Sequence, residues 1–188
     1  MIETENKIFK KNTYTGIDLR QSTFTQCVFE NCDFSECDLR GAKFIECKMH
    51  HCKWSLVKMD GCRVHDVQWE ESKLVGINFC KCEPMFFSIK FKKCLIDTCN
   101  FSDLDLKNTN FTYSIIRETY FNNTLLKGAN FGHCDLNGSL FHNADLRQAN
   151  FQGAINYSIN PLTNKLKQAK FSNPEVLALL DHIEIIVE

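Results

Sequence analysis

Only three prolines and eight glycines occur in 188 residues, and they are scattered, so neither a collagen-like repeat nor a flexible low-complexity linker is available to this chain. No apolar run approaches the ~20 residues of a membrane span, and no charged, then apolar, then small-residue leader opens the sequence. A cytoplasmic protein without a membrane partner is expected. Charge of one sign is also lacking: the formal net charge is −1 with both signs interleaved, which argues against bulk attraction to nucleic acid. A Gly-rich phosphate loop, a G-x-S-x-G elbow and an HExxH helix are missing too, and the chain reads as a non-enzyme with no cofactor. Helical periodicity (3.6) and strand alternation (2) do not organise its apolar residues either.

What is present is a beat of five. Large apolar residues stand at Phe24, Phe29, Phe34, Leu39, Phe44 and Met49, with small ones two places earlier at Ser22, Cys27, Cys32, Cys37, Ala42 and Cys47. The beat extends back to Leu19 and Tyr14 and forward through Trp54, Met59, Val64, Trp69, Leu74 and Phe79. It then slips by two to Phe86 and resumes through Phe91, Ile96, Phe101 and onward to Phe151. Fixed-period self-similarity of this kind marks a solenoid whose units pack only on their neighbours.

Segments such as Ala129-Asn-Phe-Gly-His, Ala144-Asp-Leu-Arg-Gln and Ala149-Asn-Phe-Gln-Gly resemble the A-(D/N)-(L/F)-x-x unit of the pentapeptide-repeat proteins. The resemblance implies an all-β solenoid, a right-handed quadrilateral β-helix with four pentads per coil. Fourteen pentads before the slip and fourteen after it predict seven coils, a rod roughly 30 Å long at about 4.8 Å per coil. The expected organisation is residues 1–11 as an N-terminal cap or arm, 12–157 as the β-helix interrupted at 80–87, and 158–188 as a C-terminal capping and dimerisation tail.

Eleven cysteines invite a metal or disulfide reading. Nine of them, Cys27, Cys32, Cys37, Cys47, Cys52, Cys62, Cys94, Cys99 and Cys134, share the small position, where a free cysteine serves as a small hydrophobe in a reducing compartment. Cys80 and Cys82 fall in the interruption and are expected as exposed thiols. The interruption, CKCEPMFF, is also the candidate partner-contacting loop through Pro84, Met85 and Phe87, with Met85 and Phe87 pointing outward and Phe86 inward. The bland alternative is a local bulge.

In the tail, Ser172-Asn-Pro-Glu175 reads as the start of a short α-helix reaching about Ile183, capped by Ser172 or Asn173 with Glu175 closing a capping box. Val176, Leu177, Leu179, Leu180 and Ile183 give it a wide apolar surface, extended by Ile185, Ile186 and Val187, that either caps its own core or pairs with a copy of itself. The segments N-P-x-T-N at Asn160 and S-x-P-E-x-L-x-L-L at Ser172 look like those of the gyrase-protecting, quinolone-resistance branch of the family, whose tail joins two rods end to end, and this implies a symmetric dimer. That resemblance implies a type II topoisomerase, DNA gyrase or topoisomerase IV, as partner, protected from quinolones or toxins by partial mimicry of DNA rather than by contact with nucleic acid.

Mimicry requires rows of carboxylates, and counting charges by face does not produce one. The face with Asp33, Glu36, Asp97, Glu118 and Asp135 also carries Lys53, Lys73 and Arg117, a net of −2. On the face with Asp18, Asp38, Asp60 and Asp103 the charges cancel. An interaction scaffold or toxin self-immunity protein with another cytosolic partner is therefore the alternative. A third reading, a metal-dependent enzyme using His50, His51, Glu70 and Glu71, stacked one coil apart and beneath Lys90, Lys92 and Lys93, is the least favoured.

Overall fold

In the computed structural model of the protein, which describes residues 2–183 and 185, the chain winds into a right-handed quadrilateral β-helix of about eight turns. Neighbouring coils are parallel and in register at a spacing of four pentads, so Phe24 lies beside Phe44 and Phe44 beside Val64. The first face is formed by strands Glu3–Glu5, Thr23–Thr25, Lys43–Ile45 and Arg63–His65. Ile8–Lys10, Val28–Glu30, Lys48–His50, Val67–Glu70 and Ile89–Lys92 make the second. The third carries Lys53–Ser55, Lys73–Val75, Leu95–Asp97 and Ile115–Arg117. On the fourth, single bridges such as Asp18 to Asp38 and Asn100 to Tyr120 take the place of extended strands until Leu140–Phe141 and Ser158–Ile159.

Whether a pentad forms a strand or a tight turn is decided largely by the residue before the large one. An Asp or Asn there accepts a hydrogen bond from the backbone N–H two residues on, as Asp18 does from Arg20 (3.0 Å), Asn100 from Ser102 (3.0 Å) and Asn130 from Gly132 (3.0 Å). Such an Asx turn bends the chain around the corner. Where Lys43, Lys48 or Lys53 takes that place the bond is unavailable and the pentad is a three-residue strand. Past the large residue, the chain turns through the left-handed region, with φ between 53° and 58° at Gln26, Asn31, Glu36 and His51.

Inside, the large side chains stack along the axis. On the second face alone, Phe91, Phe111, Phe131, Phe151 and Phe171 follow one another with centroids 4.7–5.4 Å apart and planes within 20°. The small position has a polar task as well as a steric one. Its side chain donates to the carbonyl of a large residue one coil below: Cys52 Sγ to Phe29 (3.3 Å), Cys134 Sγ to Phe111 (3.0 Å), Ser72 Oγ to Met49 (3.3 Å), Thr124 Oγ1 to Phe101 (3.0 Å) and Ser139 Oγ to Ile116 (2.9 Å). Cys, Ser and Thr interchange there because each is small and carries a donor. Burial pushes the thiols of Cys47, Cys52, Cys99 and Cys134 up to about 12.

The solenoid is longer at both ends than the beat of large residues predicts. Residues 3–10, expected within a cap or arm, already pair with Thr23–Thr25 and Val28–Glu30, and the Phe9 ring stacks 4.9 Å from Phe29. At the other end, Ser158–Ile159 pairs with Leu140–Phe141 and Lys170–Phe171 with Asn150–Phe151. Seven coils thus become about eight.

The last element is a short helix, Glu175–His182, with 3₁₀ rather than α hydrogen bonding: Leu177 N donates to Pro174 O and Ile183 N to Leu180 O. The expected cap is absent because the Ser172 hydroxyl accepts from Gly153 N (2.9 Å), tying it to the coil instead. Ala178 and Leu179 pack against the end of the core, and His182 Nε2 lies 3.1 Å from Ser158 Oγ. No helix among the described residues is long and apolar enough to cross a membrane.

Candidate functional site

The two extra residues enter on the first face of the fifth coil. Up to Glu83 the register is the regular one: Arg63 lies beneath Glu83, and Gly61 N donates to Lys81 O. From Ile89 it has shifted by two, with Val67 beside Ile89 and Trp69 beside Phe91. The surplus is confined to the segment from Pro84 to Ser88.

Within it the structure reverses two sequence expectations. Phe86 points outward, 66% exposed, and Phe87 is half-buried, its ring 6.3 Å from Phe79 and edge-on to it. Phe87 takes the interior place because the first residues of the insertion are spent rounding the corner. Cys82, expected as an exposed thiol, is buried and donates toward Met59 O (3.8 Å), the same bond that the other small-position residues make. Its thiol is pushed up to about 12 by burial. Cys80 is half-buried, and burial raises its thiol as well.

What projects is therefore Met85, 61% exposed, and Phe86. Phe86 holds a left-handed backbone (φ 63°), an uncommon conformation for a bulky residue. His65 fixes it from below: the imidazole Nδ1 lies 2.9 Å from Phe86 O, and the two rings meet edge-to-face at 6.0 Å. Ser88 Oγ accepts from Asp66 N (2.7 Å) and closes the loop. Between Ile45, Arg63, His65 and Phe86 the surface is hollowed and almost wholly apolar. Arg63 at its rim is held by two bonds of 2.9 Å to Glu83, and this pairing holds the Glu83 carboxyl below its usual range. An apolar hollow thus lies beside two projecting apolar side chains.

The His and Glu residues do come together as the register predicts, but as ion-pair ladders. Glu70 is 3.6 Å from His50 and 2.8 Å from Lys92; Glu71 is 3.5 Å from His51 and 3.1 Å from Lys93. Lys90 turns away to Asp66 (2.9 Å). A bond from Lys92 lowers the Glu70 carboxyl. Each carboxylate is engaged by an ammonium, and among the described residues no group of three or more His, Cys, Asp or Glu side chains is placed to hold a metal ion.

Four aspartates elsewhere are neutralised where they stand. Asp18 is clasped by Arg20, Asp38 by Arg40, Asp105 by Lys107 and Asp145 by Arg147, at 2.6–2.7 Å and two residues apart. The Asp18 carboxyl is lowered to about 2 by its Arg20 partner. Sequence counting by face found the charge balance; it missed that part of the balance is struck within single turns.

In the tail, Leu177 is 47% exposed and Ile185 is exposed, while Val176, Leu179, Leu180 and Ile183 are half-buried. Pro174, Leu177, Ala178, Leu180 and Ile185 border an open hollow at this end of the rod. Ile186 and Val187 lie outside the described residues. Asn164, of the N-P-x-T-N segment, is buried and donates to Phe141 O (3.0 Å) and Asn160 O (2.9 Å) while accepting from Ala144 N (2.9 Å). That segment thus serves the last coils internally.

Comparison with known proteins agrees with this architecture. A family profile described as "Pentapeptide repeat region" matches residues 22–101, and one described as "Pentapeptide repeats (8 copies)" matches 96–128 and 125–155. No curated protein sequence matches the chain. Among solved structures it is similar to full-length QnrB1, a plasmid-mediated fluoroquinolone resistance protein, at 13% identity over 97% of this chain and 100% of that one, with a TM-score of 0.44. It is also similar to HetL, a pentapeptide repeat protein involved in heterocyst differentiation regulation in the cyanobacterium Nostoc sp. strain PCC 7120, at 22% identity, 90% and 84% coverage and a TM-score of 0.40. A third is a pentapeptide repeat protein of the Arabidopsis thaliana thylakoid lumen, at 17% identity, 77% and 68% coverage and a TM-score of 0.28.

Proposed function

The chain belongs to the pentapeptide-repeat family, and on that premise we propose that it is a non-enzymatic binding rod that engages a protein partner through the loop from Pro84 to Ser88. The observation that carries this reading is the pinned loop itself. His65 and Ser88 hold Phe86 outward, and the hollow beside it is lined by Ile45, Arg63 and His65. Exposed apolar side chains on a rigid support lose little conformational freedom when a partner covers them. Met85 and Phe86 are the contact residues, with Phe87 anchoring the loop from inside.

The partner to try first is a type II topoisomerase, DNA gyrase or topoisomerase IV, protected from quinolones or toxins. Support for that choice comes from the two tail segments that look like those of the gyrase-protecting branch. The in-place pairing of Asp18, Asp38, Asp105 and Asp145 favours docking by shape over imitation of a phosphate backbone, since a phosphate mimic needs unpaired carboxylates in rows. It equally favours the second reading, a scaffold or self-immunity protein for another partner.

Supercoiling by purified DNA gyrase, with and without ciprofloxacin, across a titration of this protein tests the choice. Rescue of supercoiling at near-stoichiometric protein, lost on Met85→Ser/Phe86→Ser, is the expected result. Inhibition without rescue would point to mimicry, and no effect on gyrase or topoisomerase IV would remove the topoisomerase and leave the scaffold.

A further inference from the structure

Coil-to-coil contacts in this rod usually join opposite charges. Lys10 meets Glu30, Asp33 meets Lys53, Arg63 meets Glu83, Asp60 meets Lys81 and Arg117 meets Asp135. One column breaks the rule. Asp105, Leu125, Asp145 and Lys165 bridge in succession on the first face, and two residues beyond each stands a cation: Lys107, Lys127, Arg147 and Lys167. The backbone confirms the stacking, with Asn108 N donating to Lys127 O, Gly128 N to Arg147 O and Gln148 N to Lys167 O at 2.9–3.0 Å.

Four like charges one coil apart, about 4.8 Å in backbone spacing, repel one another, and like charges directly opposite in a sheet are destabilising. It is the longest run of one sign in any column of the described residues. Asp105 and Asp145 neutralise Lys107 and Arg147. Lys127, Lys165 and Lys167 are exposed and have no carboxylate within 4.0 Å among the described residues. Around them the next corner carries Asn108, Gly128, Gln148 and Gln168, the second face continues with Asn110, Asn130, Asn150 and Lys170, and the preceding corner offers one carboxylate, Asp103, beside Asn123 and Asn143.

We propose that this column on the C-terminal half of the first face is a second interaction surface, one that receives an acidic segment of a partner protein. Charge complementarity identifies the occupant: the strip formed by Lys107, Lys127, Arg147, Lys165 and Lys167 against Asp105 and Asp145 is strongly cationic in a chain whose total charge is −1. A protein segment is favoured over a nucleic acid by two features. Leu125 is exposed between Asp105 and Asp145 in the strip, giving it an apolar contact, and no aromatic ring stands outward there for a base to stack on. The strip begins one coil beyond the Met85 and Phe86 loop, on the same face.

Fluorescence anisotropy with a labelled 20-residue peptide alternating Glu and Ser tests the assignment on the full chain. Wild-type protein should bind it at low salt, and Lys127→Glu/Lys167→Glu should weaken binding at least tenfold while keeping the wild-type melting temperature or raising it. The control Lys58→Glu/Lys73→Glu, an equal change in charge on other faces, should stay within twofold of wild type. Absence of saturable binding, or an equal loss in the control, would overturn the proposal. Tighter binding of a 20-nucleotide single strand or duplex than of the peptide would overturn the choice of an acidic protein and make the strip a nucleic-acid surface.

Discussion

The ring of Phe131 lies 4.7 Å from that of Phe111 with their planes 3° apart, and 5.0 Å from Phe151 on its other side. Each ring is thus shared between two neighbours, and the core is a chain of such sharings rather than a cluster about a centre. Phe131→Ala removes two stacked contacts and leaves a cavity that neighbouring coils, fixed by their hydrogen bonds, cannot close. A loss of about 3–5 kcal/mol is expected in urea unfolding. A loss below about 1 kcal/mol would show that the coils relax freely, contrary to this account.

The reversal of Phe86 and Phe87 separates stability from binding. Phe87→Ala should lower stability by about 1–3 kcal/mol, reflecting its half-buried ring against Phe79. Met85→Ser/Phe86→Ser should leave the melting temperature within about 2 °C and still abolish partner rescue in the supercoiling assay. If Phe86→Ser alone destabilised the fold more than Phe87→Ala, the outward assignment would be wrong.

This interruption also marks where the sequence stops being legible. The five-beat, the inward cysteines and the stacked His50–Glu70 and His51–Glu71 pairs could all be read from spacing, because a parallel in-register solenoid turns sequence distance directly into position. Counting large residues fails at Thr4, where a small residue holds a large residue's place, and at Pro84 to Ser88, where two aromatics compete for one interior site. A better signal existed at Cys82: it follows Phe79 by three, as Cys52 follows Met49, and its bond to Met59 O joins residues 23 apart in sequence, as that of Cys52 to Phe29 O does. The pinning of Phe86 by His65 and the pairing of Asp with Arg two residues on depend on side-chain geometry that spacing does not encode.

Thiol chemistry offers a direct test of the core. Ten cysteines are buried, and only Cys80 is partly accessible. Native protein at pH 8 should take up about one equivalent of iodoacetamide, at Cys80 and slowly because burial raises that thiol too, whereas protein in guanidinium should take up eleven. Rapid native labelling of Cys27 or Cys52, located by peptide mapping, would contradict the inward register.

The tail prediction concerns assembly. Leu177 borders the hollow at the C-terminal end and is about half exposed in the single chain. Sedimentation at micromolar concentration should give a dimer, and Leu177→Asp a monomer, with secondary structure preserved in both. A wild-type monomer, or a mutant that remains dimeric, would rule out this face as the joint.

Acid should unfold the rod over a definite range. Bonds from Arg40, Arg147 and Lys92 depress the carboxyls of Asp38, Asp145 and Glu70 in the folded chain. A depressed folded value means that the stabilisation is fully present above the unfolded value, near 4, and is lost as pH falls through the folded one. Stability should therefore be flat with respect to these groups above about pH 5 and decline below about pH 4. Asp145→Asn should cost about 1 kcal/mol at pH 7, discounted for the exposure of Arg147, and should flatten the acid limb. An unchanged limb would deny the Asp145 carboxylate its assigned part.

The direction of the backbone bonds has a mechanical consequence. Every coil runs across the rod, and the N–H to O=C bonds that hold it, such as Phe111 N to Asn130 O and Phe131 N to Asn150 O, run along it. A force applied between the two ends loads those bonds one after another at the terminal coil rather than all together. The rod should come apart by peeling, at low force, in steps of one coil, each releasing about 70 Å of contour length.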